Sequence, residues 1–583
     1  MEEKKELRYH GIPAASGIVI AHAYLYVKHV PRIEEKKITP KEVDGEIERL
    51  QSAVVRAEKE LQKILLLAEQ KIGDIKAKIF EAQIMILSDA VLIGAIINRI
   101  KKEHKNAEYI VHAEIAKYQQ LMLASSDEYM RERSHDVEDI KNRIIRNIQE
   151  QKLVSRFEGN SIVVAQSLTP ADTILFSRNE VLGFLTDMGG VTSHAALLAR
   201  SLKIPAIVGL KDLTTKVETG DSIILDGYAG MVVLHPTADT IRIFEVRRVE
   251  IAAYELKLQA LRDLPAQTLD GRNVELSSNI EFSEEVEFVR SQGSHGVGLY
   301  RAEGLLMGRD SFPSEEEQFK EYNEIAERAY THKVIVRTFD IGGDKVFAEV
   351  REEENPFLGW RGIRVSLDRP ESFLMQLRAI LRASSKKNIW IMFPMISSLK
   401  EVRRAKEYVA RAKASLKNEG INFDKKIKVG VMVEVPAAAV MAGEIAKEVD
   451  FLSIGTNDLI QYLLAVDRGN EVVSQLYQEF DPAVMRTIRH IIKEAHKHRI
   501  PVGMCGAMAG DPVATLLLLG LGLDEFSVIP TILPEIKKVI RSVSYKEAQK
   551  IALKAMSFST EEESKEFLRV NMKRLAPDIP LED

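Results

Sequence analysis

The sequence predicts a multidomain α/β chain whose C-terminal half is a TIM (β/α)8 barrel. Three observations carry this expectation. About eight short apolar runs follow Pro265, most of them separated by helical patterns of ordinary length. Short strands and glycine turns alternate between about 155 and 236. A stretch without proline between Pro40 and Pro170 repeats its apolar residues at helical spacing. The competing architecture for the C-terminal half is an open doubly wound sheet.

Taken in order, residues 1–34 hold Gly11, Pro13, Gly17 and the strand-like IVIAHAYLYV. They form the first part of an α/β domain. Thr39, Pro40 and Glu42 in ITPKEVDGEIERL make a helix start, with Thr39 capping and Glu42 closing a capping box. A helical bundle is therefore expected over 35–145, inserted into the α/β domain. The domain resumes over 146–236 through SIVVAQ, EVLGFLTD, IPAIVG and DSIILDGYAGMVVLHP. A charged stretch without glycine or proline then predicts a helical linker over 237–262. The barrel occupies 263–575. Its strands are expected at VELSSNI, GVGLY, VIVRTFD, IWIMFPM, VGVMVEV, FLSIGTN, VGMCGA and EFSVI.

Composition narrows the function. The chain has 583 residues, enough for roughly three to four units by the usual domain size. Its hydrophobic fraction is 45%, its charged fraction 29% and its net charge −5. A balance so near neutral gives no reason to expect nucleic acid or an anionic membrane as partner. MEEKKELRYHGIP has no apolar core of a signal peptide, and VATLLLLGLGL is too short to span a bilayer. The single cysteine, Cys505, excludes an intrachain disulfide and suits a cytoplasmic protein.

In a TIM barrel the reacting groups sit where the strands end. GVGLY ends at Arg301. VIVRTFD carries Arg337 and Asp340. VGVMVEV delivers Glu434, FLSIGTN delivers Asn457 and Asp458 with Arg468 beyond, and VGMCGA delivers Cys505. Arginines capture phosphate or carboxylate through paired N–H groups. Glu434 and Asp458 are hard oxygen donors, and two carboxylates plus substrate oxygens and waters are the usual hold on Mg²⁺. The set suits a small substrate bearing both phosphate and carboxylate.

GGVTSHAALLAR places a histidine, His194, in the first turn of a helix capped by Thr192 or Ser193. A helix N-terminus favours a group that becomes an anion, as a phosphorylated imidazole does. The glycines let the loop approach another surface closely. Thr169 in SLTPAD is a candidate hydrogen-bond partner for the ring.

GGVTSHAALLARSLKIPAIVG resembles the phosphohistidine signature of the phosphoenolpyruvate-utilising enzymes. RTFDIGGDK, ENPFLGWRGIR, FPMIS, GTNDLIQYLLAVDRGNE and GMCGAMAGDP resemble their barrel motifs in the same order. From HGIPAASG to the end the chain is similar to the enzyme I branch, which opens the bacterial sugar phosphotransferase system. The resemblance implies a swivelling α/β domain phosphorylated at His194 and Arg301, Arg337, Arg468 and Asn457 holding phosphoenolpyruvate. It implies Mg²⁺ on Glu434 and Asp458, the latter also lining the substrate site, and Cys505 as proton donor. It further implies that the helical insert docks the carrier protein HPr and that the barrel forms a homodimer. Two positions depart from the family's pattern. Ala507 replaces the usual Glu after Cys-Gly, and Gln83 stands where His is frequent, on what would be the carrier-docking face.

Three rivals differ by features that the sequence should carry. Pyruvate phosphate dikinase or phosphoenolpyruvate synthase would need a nucleotide-binding domain, and no glycine-rich nucleotide loop is present. A nitrogen-branch paralogue would carry an extra N-terminal sensory domain. A non-enzymatic phosphorelay scaffold would not need the Arg-Glu-Asp-Cys set.

Overall fold

In the computed structural model of the chain, β1 (Leu7–His10) lies at one edge of an eight-stranded sheet. The structure describes residues 5–27, 33–72, 80, 83–123, 128–150, 159–190, 193–306, 309, 311–342, 353–470 and 472–579. They divide into two units, Met1–Ile251 and Ala252–Asp583.

The first unit is built on that sheet. Its other strands are β2 (Ile12–Ala15), β3 (Ile18–Tyr26), β4 (Ser161–Ala165), β5 (Gly183–Thr186), β6 (Ala206–Val208), β7 (Ser222–Asp226) and β8 (Met231–Leu234). Their order is β1-β8-β7-β3-β4-β5-β6-β2. The run β3-β4-β5-β6 is parallel, and the flanking pairs are antiparallel. Parallel neighbours need crossovers. Helices Pro170–Arg178 and His194–Leu202 provide two of them, and the helical insert lies within the third, between β3 and β4.

The insert contains helices Val43–Ile72, Ala90–Glu103, Ala107–Leu123 and Glu128–Ile148 among the described residues. In the first, Leu50, Ala53, Ala57, Leu61, Ile64 and Ala68 recur at intervals of three and four and are buried. This helix starts at Val43, later than Thr39 and Pro40 suggest. The Thr39 hydroxyl donates to Glu42 Oε2 at 2.8 Å instead of receiving the Glu42 N–H, so the expected capping box is only half made. The same cluster buries Ala171, Ile174 and Leu198 from the helices beside the sheet. One stretch that the sequence reading passed over, Gln83–Glu103, is apolar and long enough to cross a membrane by composition. The helix is interrupted at Asp89, which accepts the N–H of Val91 at 2.7 Å, and Leu92, Ile96 and Ile100 are part of the bundle core.

The helix Ala238–Gln259 leads from β8 into the second unit, and the division between units falls within it. All eight expected strands form there: β9 (Glu275–Ile280), β10 (Gly296–Arg301), β11 (Lys333–Arg337), β12 (Ile389–Phe393), β13 (Val429–Val433), β14 (Phe451–Ile454), β15 (Val502–Met504) and β16 (Glu525–Val528). Every neighbouring pair is parallel and β16 closes on β9, so the unit is a closed barrel, not an open sheet. Leu299, Ile335, Met392, Met432, Phe451 and Cys505 pack together along its axis. The barrel is a filled core whose mouth lies at the strand C-termini.

Candidate active site

Arg337 is the last residue of β11, and its guanidinium is drawn into a ring of acids. Nη2 lies 3.2 Å from Glu303 Oε2, and Nη1 lies 3.1 Å from Asp340 Oδ2. Burial works against its charge, but Glu303 and Asp340 outweigh it and hold the group cationic. Its Nε–H is buried without a hydrogen-bond partner among the described residues, a donor left for something else to satisfy.

Arg361 binds the same ring from the loop beyond β11. Its Nε and Nη2 donate to Asp340 at 3.1 and 2.9 Å, and its Nη1 and Nη2 donate to Asp458 at 3.0 and 3.1 Å. Two carboxylates are thus each held by two N–H bonds from one guanidinium. Removing one partner of such a buried pair typically costs about 3–5 kcal/mol. Arg361→Gln should therefore lower the urea midpoint of the barrel transition by an amount equal to roughly 3 kcal/mol. An unchanged midpoint would mean that solvent, not Arg361, satisfies the two acids.

Glu434 follows β13 directly and is 1% exposed. Its Oε1 accepts the Met395 N–H at 2.6 Å. Burial, with Asp340 and Asp458 nearby, pushes its carboxyl up to about 8. Among the described residues four carboxyl groups, from Glu303, Asp340, Glu434 and Asp458, meet two guanidiniums here, and this crowding of acids is part of why Glu434 resists ionising. A divalent cation would balance that excess, and the donors are hard oxygens, so the residues fit Mg²⁺. No three His, Cys, Asp or Glu side chains converge as a ready cage among the described residues.

The sequence expectation that a strand carries Asn457 and Asp458 is corrected. The strand stops at Ile454, and both residues stand in the first turn of helix Thr456–Leu464. Thr456 packs so closely on Gly506 that a Cβ there would lie 1.9 Å from its hydroxyl oxygen, which requires glycine. Asn457 Oδ1 accepts the Ala507 N–H at 2.7 Å, so the amide N–H₂ is the end left to donate. Ala507 takes part through its backbone, and its own side chain is exposed.

Arg301, the last residue of β10, and Arg468 are exposed, with no hydrogen-bond or ion-pair partner for either guanidinium among the described residues. The loop after Arg468 is tied to the mouth by Tyr477, whose hydroxyl reaches the carbonyls of Thr456 and Asn457 at 3.3 and 3.4 Å. Cys505 follows β15 and is buried. Its Sγ accepts a hydrogen bond from the Ser453 hydroxyl at 3.3 Å. Burial pushes the thiol up to about 11, opposed by Ser453, Arg337 and Arg301. At neutral pH it keeps its proton.

In the other unit, His194 opens helix His194–Leu202, and Ser193 is the cap, accepting the Ala196 N–H at 3.4 Å. Thr192 and the His194 side chain lie outside the described parts. Gly189 precedes them at φ +111°, a left-handed conformation that favours glycine. The hydroxyl of Thr169 donates to Asp172 Oδ2 at 2.8 Å and receives the Asp172 N–H at 3.1 Å, a complete capping box. Its proton is therefore already committed.

The chain matches the family descriptions of the PEP-utilising enzymes in three parts: the N-terminal domain over residues 10–133, the mobile domain over 157–230 and the PEP-binding domain over 255–545. It is 43% identical to the phosphoenolpyruvate-protein phosphotransferase of Geobacillus stearothermophilus, over 97% of this chain and 98% of that protein. It is equally 43% identical to the phosphotransferase of that name from Listeria monocytogenes, over 96% of this chain and 98% of that one.

The chain belongs to the phosphoenolpyruvate-protein phosphotransferase family.

A solution structure described as Enzyme I is 39% identical and covers 42% of this chain and 99% of its own, with a TM-score of 0.38. Within this phosphotransferase the sequence reading overlooked Arg361, Glu303 and Ser453. Arg361 lies in ENPFLGWRGIR but follows no strand, so the rule of strand ends does not reach it. Glu303 stands two residues beyond Arg301, and Ser453 points inward from β14 as every second residue does. Gln83 is also corrected. It is fully buried, in line with Phe80 and Leu87 on the core side of its helix, and presents no side chain to a partner.

Proposed function

We propose that the chain transfers the phosphoryl group of phosphoenolpyruvate to His194 and from there to a histidine of the carrier HPr, releasing pyruvate. The observation that supports this most is the barrel mouth. There a buried protonated thiol, free arginines and an excess of carboxylates stand together at the strand ends. Arg301, Arg337 and Arg468 bind the phosphate and carboxylate of the substrate, and the Asn457 amide orients it. Asp458 also lines this substrate site. Mg²⁺, which Glu434 and Asp458 would hold, would supply neutralisation of the charge that develops in the transfer. The His194 ring nitrogen attacks phosphorus as the bond to the enol oxygen breaks. Positioning and charge stabilisation are what this transfer requires. The departing enolate takes the Cys505 proton on carbon and leaves as pyruvate.

The domain scheme follows from the roles. The α/β domain, 1–34 and 146–236, carries the phosphohistidine. The insert, 35–145, docks HPr, and Met85 and Val91 give it exposed apolar side chains for a protein partner. The segment 237–262 links to the barrel at 263–575, which binds phosphoenolpyruvate and forms the homodimer. The enzyme works in the cytoplasm. Incubation with labelled phosphoenolpyruvate and Mg²⁺ should leave acid-labile, base-stable label on the chain, and absence of such label would overturn the reading.

Glu434→Gln and Asp458→Asn should each raise the Mg²⁺ concentration needed for half-maximal pyruvate formation by roughly tenfold or more. Each removes one of very few carboxylate ligands. Metal titrations unchanged in both variants would remove these residues from the site.

A further inference from the structure

A second concave site lies at the other end of the barrel, where the strands begin. It is a pocket of about 430 Å³ lined by Arg262, Asp263, Arg290, Gly293, His295 and His332, with neighbours. His295 stands just before β10, and His332 just before β11. Asp263 is the only acid on its walls, and Arg262 already holds both of its oxygens, at 3.0 and 2.9 Å.

Arg290 and the two imidazoles bring N–H groups to the same walls. His295 Nδ1 accepts the Leu276 N–H at 3.2 Å, which fixes the tautomer with the proton on Nε2. That Nε2–H has no partner among the described residues. Neither has the ring of His332. Arg290 donates Nη1 to the Arg328 carbonyl at 3.3 Å, leaving its other N–H groups uncommitted among the described residues.

The pocket is also braced. Lys537, 1% exposed, donates to the carbonyls of Arg262 and Gly293 at 2.6 and 3.2 Å and so ties two walls together. A Cβ on Gly293 would meet the Arg262 carbonyl oxygen at 2.2 Å, so these walls touch only because this residue is glycine. Arg541 donates to the Pro265 carbonyl at 2.7 Å on the same side. Burial pushes the Lys537 ammonium down to about 8, with Asp263 opposing and Arg541 assisting. Asp263, the one acid lining the pocket, offsets only part of the positive charge of Arg262, Arg290, Lys537 and Arg541.

We propose that this pocket binds the phosphoryl group of a small phosphate monoester. Convergent guanidinium and imidazole N–H groups match tetrahedral oxyanion geometry. The volume falls in the range of small-molecule sites, about 300–1,000 Å³, and a bare phosphate ion would leave most of it unfilled. None of the lining residues belongs to the catalytic mouth, so the site is independent of the transfer reaction.

The test uses the full chain with histidine labelled with ¹³C at Cε1 and glycerol phosphate as probe. Signals are assigned from His295→Gln and His332→Gln. Glycerol phosphate should shift both ring signals saturably, and chloride at matched ionic strength should not. Arg290→Gln combined with His332→Gln, both exposed positions, should weaken saturation at His295 by roughly tenfold or more, the worth of a charge-assisted contact. A shift that only follows ionic strength would overturn the proposal. So would saturation that survives the double variant, or saturation by inorganic phosphate with none by the ester.

Discussion

His194→Ala is expected to abolish the phosphoenzyme completely while phosphoenolpyruvate binding stays within about twofold of wild type. The reason is the division of the molecule. The histidine opens a helix of the first unit, whereas Arg301, Arg337, Arg468 and Asn457 all belong to the second. The helix itself should survive, because its cap is Ser193 and its buried face is Ala196, Leu198 and Ala199. Alanine at the first helical position costs at most a few tenths of a kcal/mol. Label retention after exposure to phosphoenolpyruvate and Mg²⁺ would show that another residue takes the phosphoryl group. Loss of substrate binding would show that the histidine is part of the anion cage instead of its attacker.

The barrel was legible because its strands are buried on both faces. VGVMV reads as an unbroken apolar run, and the residue after it, Glu434, stands at the mouth. Glu434 and Cys505 are found by that rule alone. Asn457 and Asp458 obey it in position but not in structure, since a glycine ends the strand and a helix starts before them. Arg361 could not be found this way. Its importance lies in bonds to Asp340 and Asp458, which are 21 and 97 residues away in sequence, and nothing local announces them. The burial of Gln83 was hidden for a different reason. Its placing on the docking face comes from the resemblance alone, and a resemblance does not say which way a side chain turns; Gln83 is 0% exposed.

Replacing Cys505 by alanine should slow pyruvate formation by roughly a hundred- to ten-thousand-fold, the usual worth of a placed general acid. A proton donor must still hold its proton when the enolate forms. Burial pushes this thiol up to about 11, so it stays protonated at every pH at which the enzyme would be assayed. The sign of the pH dependence follows. The neutral thiol is the active form, so the Cys505-dependent rate should be flat through neutrality and fall only as pH rises towards 11. A thiol lowered by its arginine neighbours would instead lose activity as pH rises through neutrality, because the thiolate has no proton to give. Arg301 and Arg337 do oppose the upward push, and in the proposed step their charge would stabilise the thiolate left behind. Ser453 then returns a hydrogen bond to the sulfur at 3.3 Å, a contact that exists without any help from Ala507. Phosphoenolpyruvate binding should survive in Cys505→Ala, because in the proposed site it is the arginines that hold the anion. Phosphoryl exchange between His194 and HPr should be untouched, because no barrel group takes part in it. Pyruvate release, substrate binding and carrier exchange are to be measured on one preparation. Loss of binding along with turnover would mean that the barrel core around Leu299, Met432 and Phe451 has collapsed into the vacated space. Full turnover would return Cys505 to that core as a small buried side chain with no part in the chemistry.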